Sequence, residues 1–435
     1  MAHILKRGNS YLIEVYLGKN ADGKKLFERV SYRPEETAPS KVKKEVEDYA
    51  RKFEDKVKNG KYFQGEKLTF IDVMELWKKD QSYKDLSQVC KEDYVRTLNH
   101  RVVPAIGNLL INKISAVNIQ AIYDDMENEG KAPTTIKRVS VTVNAVFKYA
   151  FRMSLIESNP CDRVRLPKTK QKEVKLRYFD IEQTKRFLKA LSHTYEINHK
   201  AHTRTLKQTG EEYQVPEYTQ TLTIPLQFQC YFTIAVYSGF RKSEMLALTW
   251  EDIDFENKSI SINKARVRTR EQGKIIKDTK TVAGNREIKL PGECFTLLRE
   301  WKTDEKELSL TMGSKWEGFR GSEFDKNFIF IQTDVNIGQG MDTDTPYGKF
   351  KEIIRLYNDT VSDPKDKLPD IRLHDLRHTS ATLLLSQGVD IETVSHRLGH
   401  AKPSVTLDIY GHALESMDEV ASDTLENMLS ISQKA

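Results

Sequence analysis

Residues 373–412 read LHDLRHTSATLLLSQGVDIETVSHRLGHAKPSVTLDIYGH. Three groups of side chains in this helical stretch carry chemistry. They are His374-Asp-Leu-Arg377-His-Thr, then Leu398-Gly-His400, then Tyr410 within Val405-Thr-Leu-Asp-Ile-Tyr-Gly-His412. On a helix, residues i and i+3 share a face, so His374 and Arg377 converge on one ligand. Upstream, Tyr237-Ser-Gly-Phe-Arg-Lys-Ser-Glu-Met-Leu-Ala-Leu-Thr-Trp250 places Arg241 just inside a helix start. There its guanidinium fork joins free backbone N–H groups, a good combination for an anion. Taken singly, each group has an ordinary structural explanation. An arginine at a helix start usually finds an ion-pair partner, a lone histidine is satisfied in a core, and a tyrosine on an amphipathic segment packs.

Taken together and in order, Arg241, a lysine, His374-x-x-Arg377, Gly399-His400 and Tyr410 resemble the catalytic signature of the tyrosine site-specific recombinases of the phage-integrase type. Carried over residue by residue, the resemblance implies that Arg241 and Arg377 grip a scissile phosphate, that His374 and His400 complete the site, and that Tyr410 is the nucleophile of a 3′-phosphotyrosine intermediate. The family's lysine stands on a β-hairpin, often in a Lys-Thr context before a strand. Lys280-Thr281, ahead of Asn285-Arg-Glu-Ile-Lys-Leu290, fits that description, and Lys277 competes with it.

The residue types suit the reaction. A phosphodiester is an anion whose transition state spreads charge over the non-bridging oxygens, and two permanently charged guanidiniums match it. A tyrosine hydroxyl has a reference pKa near 10, so it needs a proton acceptor or a strongly positive pocket. His374 is the expected base. The leaving 5′-oxygen needs a proton, which a lysine ammonium delivers. His400 is expected to hydrogen-bond the phosphate. No cofactor is required, and no clustered carboxylates suggest a metal site.

Further outward, the chain divides into segments. At 435 residues it is long enough for two or three domains. Residues 1–62 read as a small sheet plus a helix: strand-like Tyr11 to Leu17, a turn at Asn20-Ala-Asp-Gly23, a returning strand Lys24 to Tyr32, and a helix capped by Ser40 with Val42, Val46, Ala50, Phe53 and Val57 on its apolar face. Residues 66–166 read as four helices, starting near Thr69, Ser87, Ser115 and Thr134 or Thr135, the second ending before Pro104. Residues 167–178 are a linker, and the basic run Arg163 to Arg177, RVRLPKTKQKEVKLR, crosses into it. Residues 179–435 are mixed α/β and mostly helical. In them a polar stretch from His193 to Gln220 has little periodicity and reads as an inserted loop, Leu222 to Tyr237 as one buried helix, and Thr303 to Tyr347 as irregular. The fold class is therefore multidomain α+β. The resemblance makes the first part an arm-type DNA-binding domain, the second a helical core-binding domain and the third the catalytic domain.

Net charge is only +6, but its distribution points to a nucleic-acid partner. Lys24, Lys25 and Arg29 beside Tyr11 and Tyr16 suit a sheet entering a major groove. Lys137 and Arg138 lie on the polar face of the fourth core-domain helix, and Arg163, Arg165, Lys168, Lys170 and Lys172 line the linker. The tail is acidic, with Glu415, Asp418, Glu419, Asp423 and Glu426, and carries Leu414, Met417, Val420, Ala421, Leu425, Met428 and Leu429 at helical spacing. It suits a helix docked on its own domain or on a neighbouring subunit. The family resemblance implies a tetramer on double-stranded DNA with core and arm sites, helped by an excisionase or a DNA-bending host factor. No apolar run of membrane length and no signal-peptide block is present, so a cytoplasmic location is expected. Cys90, Cys161, Cys230 and Cys294 stand far apart and read as buried free thiols. Competing functions are an Xer-type resolvase, a type IB topoisomerase sharing the chemistry, and a DNA-binding regulator. The resemblance gives Xer-type enzymes no N-terminal sheet domain, so Met1 to Lys58 favours integration.

Overall fold

The computed structural model describes residues 2–19, 24–58, 67–168, 176–206, 210–278, 284–318 and 327–415. Two compact units divide the chain at residue 172.

The first unit has two separate cores. Strands β1 (His3–Arg7), β2 (Ser10–Lys19) and β3 (Lys25–Tyr32) form an antiparallel meander. The first strand was not expected from the sequence, and the expected turn at Asn20 to Gly23 lies outside the described residues. Alternation along β2 and β3 buries Ile13, Val15 and Val30 against Ala50 and Phe53 of the helix Pro39–Lys58. That helix begins at Pro39, so Ser40 falls in its first turn rather than at its cap.

The second core is all-helical. Thr69 and Asp72 form a capping box at Phe70–Lys79, which buries Phe70, Val73, Met74 and Trp77. Ser87 caps Gln88–Thr97. The chain does not break before Pro104. A wide helical turn over Leu98–Val102 leads into Val103–Ile106, where proline sits in a first turn and its missing N–H costs nothing. Ala116–Asn128 and Pro133–Arg152 complete the bundle, the latter starting on its proline rather than at Thr134.

The second unit is mostly helical. The helix Ile181–Leu191 leads into a long ribbon: β4 (Thr194–His199) pairs with β7 (Tyr218–Thr223), and β5 (His202–Thr205) with β6 (Glu212–Val215). The stretch expected to be irregular is thus regular. It showed no period because neither face of most of the ribbon is buried, so alternation had nothing to mark. Ile224-Pro225 then ends the ribbon, and the buried helix runs only over Leu226–Ser238, leaving Leu222 in a strand. Strands β8 (Ile253–Asp254), β9 (Ser259–Ile262) and β12 (Arg286–Lys289) form one small sheet, and β10 (Lys264–Arg268) and β11 (Lys274–Asp278) a separate hairpin. The helix Gly292–Met312 takes in the start of the stretch expected to be irregular.

Three further helices, Asp375–Ser386, Ile391–Leu398 and Pro403–Glu415, build a satellite core of Ala381, Leu385, Val394, Leu398 and Tyr410. All four cysteines are free. Cys230 and Cys294 are buried as expected, whereas Cys161 is only half-buried and Cys90 is exposed. No helix among the described residues is long and apolar enough to cross a membrane.

Candidate active site

Gly239 ends the Leu226–Ser238 helix in a left-handed conformation, φ 66°, and a Cβ there would come within 2.8 Å of Leu398 Cδ2. This close approach brings the turn carrying Arg241 against the C-terminal end of Ile391–Leu398, itself closed by left-handed Gly399. Arg241 is the cap residue of a single helical turn, not an interior residue, and about a third of its side chain stays exposed. Its Nη2 donates to the Gly399 carbonyl at 3.2 Å and its Nη1 to Glu244 Oε1 at 2.8 Å.

Arg377, on the first turn of Asp375–Ser386, is buried. Its Nη1 donates to the Gly239 carbonyl at 2.9 Å and its Nη2 to His400 Nε2 at 2.8 Å. A guanidinium has no acceptor, so His400 Nε2 offers its lone pair and Nδ1 carries the proton, which it donates to Thr406 Oγ1 at 2.8 Å. In this arrangement His400 orients Arg377. Burial, and then Arg377, push His400 down to about 4, in keeping with a neutral ring.

Arg286, at the start of β12, completes the cluster. Its Nη2 donates to Glu244 Oε2 at 2.8 Å and its Nε to the Arg397 carbonyl at 2.9 Å. Burial works to raise the Glu244 carboxyl, yet hydrogen bonds and charge from Arg286, with Arg241 behind it, hold it below the usual carboxylate range. Arg241 and Arg286 thus share one carboxylate, and Arg377 stands near them without an acidic hydrogen-bond partner among the described residues. Among the described residues Arg377 meets only a carbonyl and an imidazole, and burial followed by repulsion from Arg241 lowers it to about 10. Such a pocket has an excess of positive charge and favours an anion.

Tyr410 is 1% exposed, its ring set in the satellite core. Its hydroxyl lies 2.7 Å from Nδ1 of His378, one turn after His374 on the same helix. Burial pushes the phenol up to about 12, with Arg377 working against that. His374 stands edge-on to His378, ring centroids 5.4 Å apart. Burial first, then Arg377, lowers its pKa. Among the described residues, the imidazole bonded to Tyr410 is therefore His378, not His374.

The structure brings Arg241, His374, Arg377, His400 and Tyr410 into one neighbourhood. Lys280 lies outside the described residues. Lys277 stands half-buried on β11, opposite Ala265 of β10. Sequence reasoning passed over Glu244, Arg286 and His378. Each had a signal: Glu244 is three residues after Arg241 and His378 four after His374, both at helical spacing, while Arg286 opens a strand with no other role for a charge.

The remaining basic residues lie in the first unit. Lys24, Lys25 and Arg29 are exposed, and Arg29 Nε donates to Glu14 Oε1 at 2.6 Å. Lys137 is exposed, whereas Arg138 is tied to Asp93 through Nε and Nη2. Arg163, Arg165 and Lys168 are exposed, and Lys170 and Lys172 fall outside the described residues. Among the described residues no group of His, Cys, Asp and Glu could hold a metal ion.

A model of the phage integrase family matches residues 211–417, and one of the phage integrase central domain matches residues 70–166. A "Tyrosine recombinase XerC-like" protein of Caldanaerobacter subterraneus is 24% identical over 98% of both chains. The ICEBs1 integrase of Bacillus subtilis is 27% identical over 73% of this chain and 72% of its own. Among solved structures, the Tn1549 transposon integrase in complex with transposon right end DNA superposes with a TM-score of 0.58 at 20% identity, covering 81% of this chain and 100% of that one. This last likeness is one of fold.

Proposed function

The chain belongs to the phage integrase family of tyrosine recombinases, enzymes that break and rejoin DNA, and we propose that Tyr410 is the residue through which it does so. It is a site-specific integrase of a mobile element. The observation that supports the reading of the site is the pocket in which Arg241 and Arg286 share one carboxylate while Arg377, bonded to a carbonyl and an imidazole, stands beside them near a buried tyrosine hydroxyl. A DNA phosphate supplies the missing negative charge.

In this reading Arg241 and Arg377 bind the non-bridging oxygens, whose charge grows in the transition state. His374, its pKa lowered by burial first and then by Arg377, completes the site. His400 holds Arg377 in place. Tyr410 Oη gives up its proton to an imidazole of the site and bonds to phosphorus, the P–O5′ bond breaks, and the leaving 5′-oxygen takes a proton from Lys280, or from Lys277 three residues earlier. The phosphotyrosine conserves the bond, so a second 5′-hydroxyl reverses the step.

Residues 1–62 act as the arm-binding domain, 66–166 as the core-binding domain and 179–435 as the catalytic domain, joined by the linker 167–178. The partner is double-stranded DNA, on which the chain multimerises to a tetramer, with an excisionase or bending factor setting direction. The sheet domain does not by itself separate integrases from Xer-like proteins, since the relative named XerC-like aligns over 98% of its length with this chain. The test is capture. The full chain is incubated with nicked duplexes carrying the element's ends, the covalent complex is isolated under denaturing conditions, and its DNA is sequenced. One junction sequence supports an integrase. Adducts scattered over all sequences would point to a topoisomerase.

A further inference from the structure

We infer that Arg266 is a positioning residue: it fixes the β10–β11 hairpin, and with it the lysine that protonates the leaving oxygen, relative to the phosphate-binding arginines. The inference rests on the reading of that lysine as the acid. Among the described residues β10 and β11 pair only with each other, so no backbone ladder ties this hairpin to the neighbouring sheet. Its place depends on side chains. Arg266 pairs with Ile276 and Lys264 with Asp278, so alternate residues share one face, and that face is the anchored one. Ile276 rests on the main core. Lys264 Nζ donates to Thr249 Oγ1 at 2.9 Å and lies 2.8 Å from Asp252 Oδ2. Lys274, on the same face, pairs with Asp342 at 2.6 Å. Between them Arg266, 6% exposed, donates from Nη1 to the Met341 carbonyl and from Nη2 to the Gly340 carbonyl, each at 3.0 Å. The Phe328 ring covers the guanidinium, its centroid 4.7 Å away. A Cβ on Gly340 would collide with Arg266 Nη1, so glycine lets the fork lie against the backbone.

What Arg266 grips is itself tied to the arginine pocket. The N–H of Met341 donates to the Phe330 carbonyl at 2.9 Å, that of Ile329 to Leu248 at 3.0 Å, and that of Trp250 to Asn327 at 3.1 Å. Leu248 and Trp250 close the segment that opens with Arg241 and Glu244. A continuous run of bonds therefore leads from the turn of Arg241, through residues 327–331 and 340–341, to the hairpin. Part of the stretch that looked irregular in the sequence is thus a brace. Packing alone does not account for an arginine at its end. Burial penalises the guanidinium and lowers Arg266, with Asp342 working against that. An apolar side chain of similar volume would fill the space without that cost. A planar fork on two successive carbonyls fixes both position and angle, which an apolar contact does not. General acid catalysis needs both, because the ammonium must come within hydrogen-bond reach of the leaving oxygen.

The experiment is single-turnover cleavage of nicked suicide DNA by the full chain. Two duplexes are used, an ordinary one and one whose bridging 5′-oxygen at the cut is sulfur, a leaving group that needs no proton. The wild type is compared with Arg266→Met, Asp342→Asn, Lys280→Ala and Lys277→Ala, with DNA affinity and thermal midpoint measured for each. Arg266→Met should bind DNA as the wild type does and cleave the ordinary duplex about 10²-fold more slowly. It should cleave the sulfur duplex within a few-fold of wild type. A role confined to stability would lower the thermal midpoint and leave no difference between the duplexes. The inference is overturned if Arg266→Met cleaves both duplexes within a few-fold of wild type, or is slowed equally on both. Should Arg266→Met fail to fold, Asp342→Asn decides, because it loosens the same brace from a half-exposed site. Slowing on the ordinary duplex alone then supports the inference, and equal behaviour on the two overturns it. If neither Lys280→Ala nor Lys277→Ala gains from sulfur, the acid is not on the hairpin, and the reading beneath the inference falls instead.

Discussion

Arg286 and Glu244 form an ion pair sealed from water: the two side chains are 0% and 3% exposed, with Nη2 2.8 Å from Oε2. The other carboxylate oxygen accepts from Arg241 Nη1. Removing one partner of such a pair leaves a buried charge uncompensated, which costs about 3–5 kcal/mol. Arg286→Met should therefore lose about that much stability in chemical denaturation. The double variant Arg286→Met with Glu244→Leu should regain part of it. The double variant should not recover DNA cleavage, because Arg241 loses its tether when Glu244 goes. A loss below about 1 kcal/mol in the single variant would mean that water reaches the pair.

Tyr410→Phe removes only the attacking oxygen and leaves the ring in the satellite core. The variant should fold, bind its site with unchanged affinity and form no covalent complex on nicked DNA in a denaturing gel. A shifted band from this variant would sink the assignment of the nucleophile. Because the hydroxyl forms one hydrogen bond, to His378, the stability change should stay near 1 kcal/mol.

A substrate whose bridging 5′-oxygen is replaced by sulfur has a leaving group that needs no proton. Lys280→Ala should cleave ordinary DNA poorly and the sulfur substrate at nearly the wild-type rate. Arg241→Ala and Arg377→Ala should be slow on both, since the phosphate charge still needs them. Rescue of Lys277→Ala instead would move the acid onto β11.

The pieces of the site that repeat at helical spacing could be read directly. His374 and Arg377 meet because three residues separate them on one helix, and Thr69, Asp72 and the apolar positions behind them announce a capped, half-buried helix. The partner of the Tyr410 hydroxyl could not be read. Both His374 and His378 share the helix face, and which one meets Tyr410 depends on how Pro403–Glu415 packs thirty residues later, a tertiary fact with no local trace. The pairing of Glu244 with Arg286 could not be read for the same reason, although each residue had a local signal, since one lies on a turn and the other on a distant strand. Pro104 misled because proline normally ends a helix, and here a wide turn lets the chain pass through it.

Stability should depend on the histidines in a defined direction. His378 and His400 are each held down to about 4 by burial first, with His374 and Arg377 respectively adding to it. The unfolded chain takes up those protons nearer pH 6.5. The contribution of both rings is therefore complete above about pH 6.5, is lost as the pH falls from there toward 4, and changes no further below that. Thermal midpoints of the DNA-free protein should drop across this window, and less so in His378→Leu and His400→Asn. Parallel curves for wild type and variants would contradict the assignment.

Arg138 is already engaged by Asp93, which also accepts from Arg96. If Arg138 reaches DNA bases, that pair must open first. Asp93→Asn should then tighten DNA binding several-fold, and Lys137→Ala with Arg138→Ala should weaken the specific site more than random sequence. Neutralising Arg163, Arg165 and Lys168 should weaken both about equally, lowering the slope of log affinity against log salt by roughly 0.9 for each phosphate left without its cation. Titrations at several salt concentrations check both. An unchanged slope would mean that the linker does not touch DNA.

The ribbon β4 to β7 leaves and re-enters the second unit at one place, because Thr194 and Thr223 face each other across its base. Its roots, Tyr195 and Leu222, join the core, while nearly all the described residues beyond them are solvated. A segment whose two ends are neighbours can be gained or lost in a single genetic event without displacing the framework that carries it. The ribbon can therefore be lengthened, shortened or exchanged without moving the arginine pocket, so this part of the fold is open to change at a pace of its own.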